Sequence, residues 1–189
     1  MRPFPFALDE RLGEAGDTLP FSGHADEASY SLGGHSFALP SGIDFDLVLT
    51  NAGEGILVTG MLRAHAVGAC DRCLDPAELD ISAEVDEYYL FEEPSAERQD
   101  DDDDELDYAL VSPDNSIDLA EALLPSLLME TPFVVLCRED CKGLCPVCGE
   151  NLNERDCGHA DLIARHRAAS NPFSVLASLD LGDDEDSSS

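Results

Sequence analysis

The cysteines of this chain constrain its fold more than any other feature. Seven of them and one histidine form four short pairs: Cys70-Asp-Arg-Cys73, Cys137-Arg-Glu-Asp-Cys141, Cys145-Pro-Val-Cys148 and Cys157-Gly-His159. Eight donors make two sets of four, and four is the number a structural zinc ion takes. Each pair delivers two donors from one chelating turn, which adds little entropic cost to the second bond. An odd number of cysteines does not close a disulfide framework. The pattern therefore predicts metal used to fix shape.

Composition narrows the classes further. The chain has 189 residues, a hydrophobic content of 43%, no Trp and a formal charge of −31. That is enough apolar material for one modest, mainly aliphatic core or two small ones. Filling both donor sets with zinc does not relieve the charge, since seven thiolates outweigh two divalent ions. Such a chain repels a phosphate backbone at long range, so it is expected to approach nucleic acid through a basic protein or a local basic patch. The first residues, Met1-Arg-Pro-Phe-Pro-Phe-Ala-Leu, lack a secretory apolar run, and no stretch has the length of a membrane span. The expected compartment is the cytoplasm, where thiols stay reduced, with no membrane partner.

Patterning divides the chain. Residues 1–42 are rich in Gly, Pro, Ser and acids and read as an irregular segment with one strand near Tyr30. Residues 43–91 read as an antiparallel meander. Ile43, Phe45, Leu47 and Leu49 alternate with polar neighbours; Ile56, Val58, Leu62, Ala64 and Ala66 share a face opposite Thr59, Arg63 and His65. Ile81, Ala83, Val85 and Tyr89 repeat the pattern. Gly60 is expected to mark a bulge, and the first cysteine pair sits in the hairpin between the second and third of these strands. Residues 92–115 carry six consecutive acids and read as an acidic linker. Residues 116–180 read as a helical and metal-binding lobe. Asp118 and Glu121 open a helix, Pro125 is expected to kink or split it, and Pro132 ends it. A short strand at 133–136 then feeds Cys137, a basic helix spans 161–170, and a second short helix starts at Asn171-Pro172. Residues 181–189 read as a disordered acidic tail. The fold class expected is α+β: a small antiparallel sheet, a helical segment and a zinc-binding C-terminal lobe.

The donors partition in two ways. In the favoured partition, Cys145, Cys148, Cys157 and His159 form one knuckle-like site, and Cys70, Cys73, Cys137 and Cys141 form the other, which would tie the sheet to the helical segment. The alternative is one ion held by Cys70, Cys73, Cys145 and Cys148. Buried apolar cysteines do not explain four short pairs. A thiol oxidoreductase needs its first Cys at a helix N-terminus, whereas Cys70 lies between strands. A zinc deaminase needs His-x-Glu upstream of Pro-Cys-x-x-Cys, which this chain lacks. A hydrolytic zinc leaves one position open for water, and eight donors for two ions leave none. No catalytic residues are therefore assigned. His24, His35 and His65 read as surface residues. Arg72, between two donors, and Arg165 and Arg167, in a rare basic patch, are the candidate contacts to RNA or to a partner.

Cys70-Asp-Arg-Cys73-Leu74, Ile117-Asp118-Leu119 and the run from Cys137 through Cys148-Gly-Glu-Asn-Leu-Asn153 resemble the YceD-like family, the large ribosomal RNA subunit accumulation proteins. Asn171-Pro-Phe-Ser-Val-Leu-Ala-Ser-Leu179 is also family-like. The resemblance covers roughly residues 43–180 and implies a bacterial cytoplasmic factor, not an enzyme, needed for normal levels of large-subunit ribosomal RNA. Where some relatives end the metal block in Cys-x-Cys, this chain has Cys157-Gly-His159, which keeps the donor count. Some members lack the second knuckle, so the shared core is expected around Cys70, Cys73, Cys137 and Cys141.

The function expected is a non-catalytic, zinc-stabilised assembly factor. Its acidic surface would hold a basic ribosomal protein or the pre-ribosomal large subunit. The alternative is a thiolate switch that releases its metal on oxidation.

Overall fold

The computed structural model describes residues 1–93 and 109–170, the side chains of 167–169 excepted. The chain divides into two compact units, Met1–Glu139 and Asp140–Ser189. The acidic run at 100–105, the helix expected from 171, the tail at 181–189 and the Arg167 side chain lie outside the described residues.

The first unit is built on three long strands, β5 (Ile43–Asn51), β6 (Gly55–Ala69) and β7 (Pro76–Leu90). They pair antiparallel in succession, with Phe45 opposite Leu62 and Leu62 opposite Ala83. Every second residue is apolar, so one face is dry. Ile43, Phe45, Leu49, Ile56, Val58, Leu62, Val85 and Tyr89 are all buried there. The expected meander is present. Gly60 is not a bulge: pairing runs unbroken through Leu47, Gly60 and Val85. Instead, a Cβ at Gly60 would lie 2.2 Å from the Asp46 carbonyl oxygen, so the position needs glycine for close strand approach.

Residues 1–42 are not irregular. They carry β1 (Pro5–Ala7), a 3-10 turn at Glu10–Leu12, β2 (Thr18–Ala25), β3 (Ser29–Leu32) and β4 (His35–Ala38). β2 pairs with β5 at the sheet edge, where Pro20 is tolerated and Gly23 leaves room for the Phe45 ring. β3 and β4 form a hairpin through Gly33 and Gly34, both with positive φ, the geometry a two-residue primed turn demands. Two short strands follow, β8 (Ala109–Leu110), which adds parallel to β7, and β9 (Ser116–Asp118), which pairs with β1. Both fall at or beside the end of the stretch expected to be linker.

Helix α1 (Leu119–Glu130) follows directly. Asp118 caps it, accepting from the Ala120 N–H at 3.0 Å and from the Phe4 N–H at 2.7 Å. The helix packs on β7 and β6 through Leu119, Leu123 and Leu127. It belongs to the sheet's own unit. Pro125 does not split it. The proline removes one backbone donor, while buried leucines on both sides of it hold the two halves to the sheet. The second unit contains a compact knuckle and α2 (Ala160–Ser170), the expected basic helix. The architecture is α+β, mostly antiparallel sheet with two helices among the described residues.

Candidate metal centres

The turn between β6 and β7 presents the first pair. Strand pairing stops at Ala69 and Pro76, and the intervening chain folds back on itself. The Cys70 N–H donates to the Asp75 carbonyl at 2.8 Å, and the Leu74 N–H donates to the Cys70 carbonyl at 2.9 Å. Leu74 closes the turn at φ 66, a left-handed conformation that costs a side-chain-bearing residue about 1–2 kcal/mol. Asp71 fixes this turn to the segment after α1. Its N–H donates to the Val135 carbonyl at 2.8 Å, and its carboxylate accepts the Val135 N–H at 2.6 Å. The same carboxylate lies 3.3 Å from His35 Nε2. Residues 133–136 are therefore a loop held by a side chain, not the expected strand.

This arrangement brings Cys137 to Cys73, with sulfurs 3.5 Å apart. Cys70, Cys73, Cys137 and Cys141 offer four sulfurs within 4.8 Å of one another. That spacing is far beyond a disulfide bond of about 2.05 Å. It suits four sulfurs each about 2.3 Å from one central ion, whose tetrahedral edges are about 3.8 Å. Cys70, Cys73 and Cys141 are buried, and Cys137 is the most exposed of the four. Burial pushes the Cys70 thiol up, but the backbone N–H groups of Cys137, Arg72 and Cys73 donate to its sulfur and bring it down to about 6. Arg72 thus contributes through its backbone, while its side-chain end of the turn is exposed.

The second set lies in the second unit. The Gly149 N–H donates to the Cys145 carbonyl at 2.8 Å, and Gly149 takes φ +75. An antiparallel bridge joins Leu144 and Asn151, and the Leu152 N–H donates to the Gly143 carbonyl at 2.9 Å. His159 sits just before α2, with Nδ1 3.7 Å from the Cys145 sulfur. Cys145, Cys148, Cys157 and His159 offer donors within 4.8 Å of one another. Cys145 is buried, Cys157 and His159 are half-buried and Cys148 is exposed. Burial pushes the Cys145 thiol up, while the N–H groups of Cys148 and Val147 and the neighbouring thiols bring it down to about 6. For Cys157, the His159 N–H pulls down, but the sulfurs of Cys145 and Cys148 and burial push it above its ordinary value. Clustered thiols thus resist joint ionisation until a cation shares the site.

Both groupings follow the two-ion partition; the single set of Cys70, Cys73, Cys145 and Cys148 is not brought together. Two supporting residues escaped the sequence reading. Asp71 lies inside the first pair, and its tie to Val135 spans 64 residues of sequence. Asn153 donates through Nδ2 to the Cys141 sulfur at 3.3 Å and accepts the Lys142 N–H at 2.8 Å. A short amide five residues beyond the Cys145–Cys148 pair carries no periodic signal. The surface histidines have acidic neighbours: His24 meets Asp44 at 2.7 Å and His65 meets Asp80 at 2.8 Å. Arg165 is exposed on α2. No helix among the described residues is long and apolar enough to cross a membrane.

Comparison with known proteins gives the chain a family context. The family model described as large ribosomal RNA subunit accumulation protein YceD matches residues 58–180, more than half of the chain. An uncharacterized protein of Mycobacterium tuberculosis and one of Mycobacterium bovis are each 36% identical over 110 residues, covering 58% of this chain and 51% of theirs. An uncharacterized protein of Mycobacterium leprae is 30% identical over 110 residues, 58% of this chain and 49% of its own. The chain spans about half the length of the curated relatives it matches. No solved structure matches.

Proposed function

The chain belongs to the YceD family, and on that premise we propose that it is a non-catalytic, zinc-stabilised cytoplasmic factor supporting accumulation of large-subunit ribosomal RNA. The observation that carries the zinc reading is the pair of preassembled donor sets. Cys70, Cys73, Cys137 and Cys141 would hold one ion, and Cys145, Cys148, Cys157 and His159 the other. Zinc bound there would supply cross-linking: four protein donors would enclose each ion and leave no position for substrate or water. Asp71 fixes the first set's turn, and Asn153 donates to a ligand sulfur, the supporting role outer-shell groups take at metal sites.

The partner in this reading is a basic ribosomal protein or the pre-ribosomal large subunit. A formal charge of −31 favours a cationic surface and disfavours free RNA. Arg165 and Arg167 on α2, with Arg72, are the residues best suited to a local contact with RNA or acidic groups.

The test has two arms. In cells lacking the chain, the ratio of large- to small-subunit ribosomal RNA falls; wild-type protein restores it, and a Cys70→Ser/Cys73→Ser variant does not. In solution, binding to a purified basic ribosomal protein is salt-sensitive, and binding to naked ribosomal RNA at physiological salt is weak. Tight binding to naked RNA overturns the indirect mode.

A second reading rests on Cys148, which is exposed in a cluster that also holds Cys145 and Cys157. Access to oxidant beside a second thiol is what disulfide formation needs. As a redox-responsive switch, the second set would release zinc under mild peroxide; retention of both ions assigns the set to structure alone.

A further inference from the structure

Four large apolar side chains of the first unit are turned to solvent where the fold gives them no work. Leu74 is 68% exposed, Met129 87%, Phe133 88% and Val134 63%. Three of them lie on the two chain segments that Asp71 and Val135 join. Leu74 follows Cys73, Phe133 and Val134 precede Val135, and Asp71 bonds to Val135 through both its N–H and its carboxylate. Met129 lies on the last turn of α1, just before this loop.

The loop is rigidly presented. Thr131 and Val135, on either side of the exposed residues, are both buried. The Thr131 hydroxyl meets the Tyr30 hydroxyl at 2.9 Å and donates to the Leu127 carbonyl at 2.7 Å. Phe133 and Val134 are thus held out from a segment pinned at both ends, which lowers the ordering cost of binding. Leu74 sharpens the point. Its left-handed backbone favours glycine or asparagine, so a leucine there neither relaxes the turn nor fills the core. An exposed Phe and Met on a fixed frame have the composition of an interface centre.

Charge selects the occupant. The chain carries −31; Glu130 is exposed between Met129 and Phe133 along the chain, and beside Leu74 the single cation Arg72 is flanked by the exposed Asp71 and Asp75. A second copy would bring a like charge of the same size to the surface, which opposes self-association. A cationic partner is attracted, and its apolar side chains cover the patch. We propose that Leu74, Met129, Phe133 and Val134 form the docking surface for a basic polypeptide segment that also presents apolar side chains. This rests on the basic-partner reading above and names the place where that partner binds.

The test uses the full zinc-loaded chain and two synthetic probes: a lysine-leucine peptide with helical apolar spacing, and polylysine of the same length. The proposal expects the lysine-leucine peptide to bind about tenfold more tightly at physiological salt. Phe133→Ser with Met129→Ser removes that preference and leaves polylysine binding unchanged. Both side chains are exposed, so zinc content and thermal melting of the double variant match wild type. Val48→Ser, on the wet face of β5, keeps the preference. If polylysine binds but the preference survives the double variant, the docking surface is overturned and the basic-partner reading stands. If neither probe binds, both fall. A wild-type dimer that the double variant converts to monomer assigns the surface to a second copy and overturns the proposal.

Discussion

The two candidate metal centres are built from similar donors on different foundations. The first takes Cys70 and Cys73 from the turn of the longest hairpin, and three of its four sulfurs are buried. The second is a local knuckle of Asp140–Ser189, with one buried donor and Cys148 exposed. The lesson is that one ligand chemistry can serve two energetic ends. At the first centre, the loop after α1 is held by Asp71 and a sulfur cluster in place of strand pairing. At the second, a bound ion would be the main tie ordering a short segment with few apolar residues.

The largest expected effect separates the centres by substitution. A structural zinc site supplies on the order of 10 kcal/mol, comparable with the whole stability of a small domain. Cys73→Ser should therefore abolish the cooperative thermal transition of the sheet. Cys148→Ser should leave that transition in place while lowering bound zinc from two ions to one per chain. Circular dichroism melting with elemental analysis checks both, and equal loss of melting in the two variants would erase the distinction.

Acidification and chelation rank the centres. Cys70 and Cys145 are held at about 6, below an unfolded thiol value of about 8.5. Their ionised sulfurs therefore contribute fully above the unfolded value, and the contribution is lost as pH falls through about 6. Protonation of these sulfurs opposes metal binding, so zinc should stay bound at neutral pH and leave on acidification, from the more exposed second centre first. A chromophoric chelator following release against pH reads the order directly. Asn153→Ala removes the N–H donated to Cys141 and should weaken the first centre's zinc affinity about tenfold or more, in the same competition.

Smaller effects probe the frame. Asp71→Ala leaves the Val135 N–H without its acceptor, at an expected cost of about 1–3 kcal/mol in denaturant melts of the sheet. Leu74→Gly relieves the left-handed backbone and should stabilise by about 1 kcal/mol.

The meander was legible because β5, β6 and β7 alternate along their length, and the cap on α1 was legible from Asp118 and Glu121. The clustering of the seven cysteines and His159 into two sets of four was legible from spacing. In residues 1–42 the strand at Tyr30 was legible; the rest was not, because Pro20 and Gly23 look like breakers until an edge position and the Phe45 ring explain them. Gly33 and Gly34 both take positive φ, and the strands they join are only four residues each, too short for alternation to stand out. The loop at 133–136 misled in the other direction: its Phe-Val-Val-Leu run has strand propensity, yet Val135 bonds to Asp71 and its neighbours face solvent. Side-chain pairing between distant turns leaves no periodic trace in sequence.

Native mass spectrometry of freshly purified chain tests the central claim most directly. The account predicts a folded monomer heavier than the bare polypeptide by two zinc ions, less the protons they displace. Stripping the metal should widen its charge-state distribution as the fold opens. A metal-free mass with a compact distribution, unchanged by chelator, would contradict it.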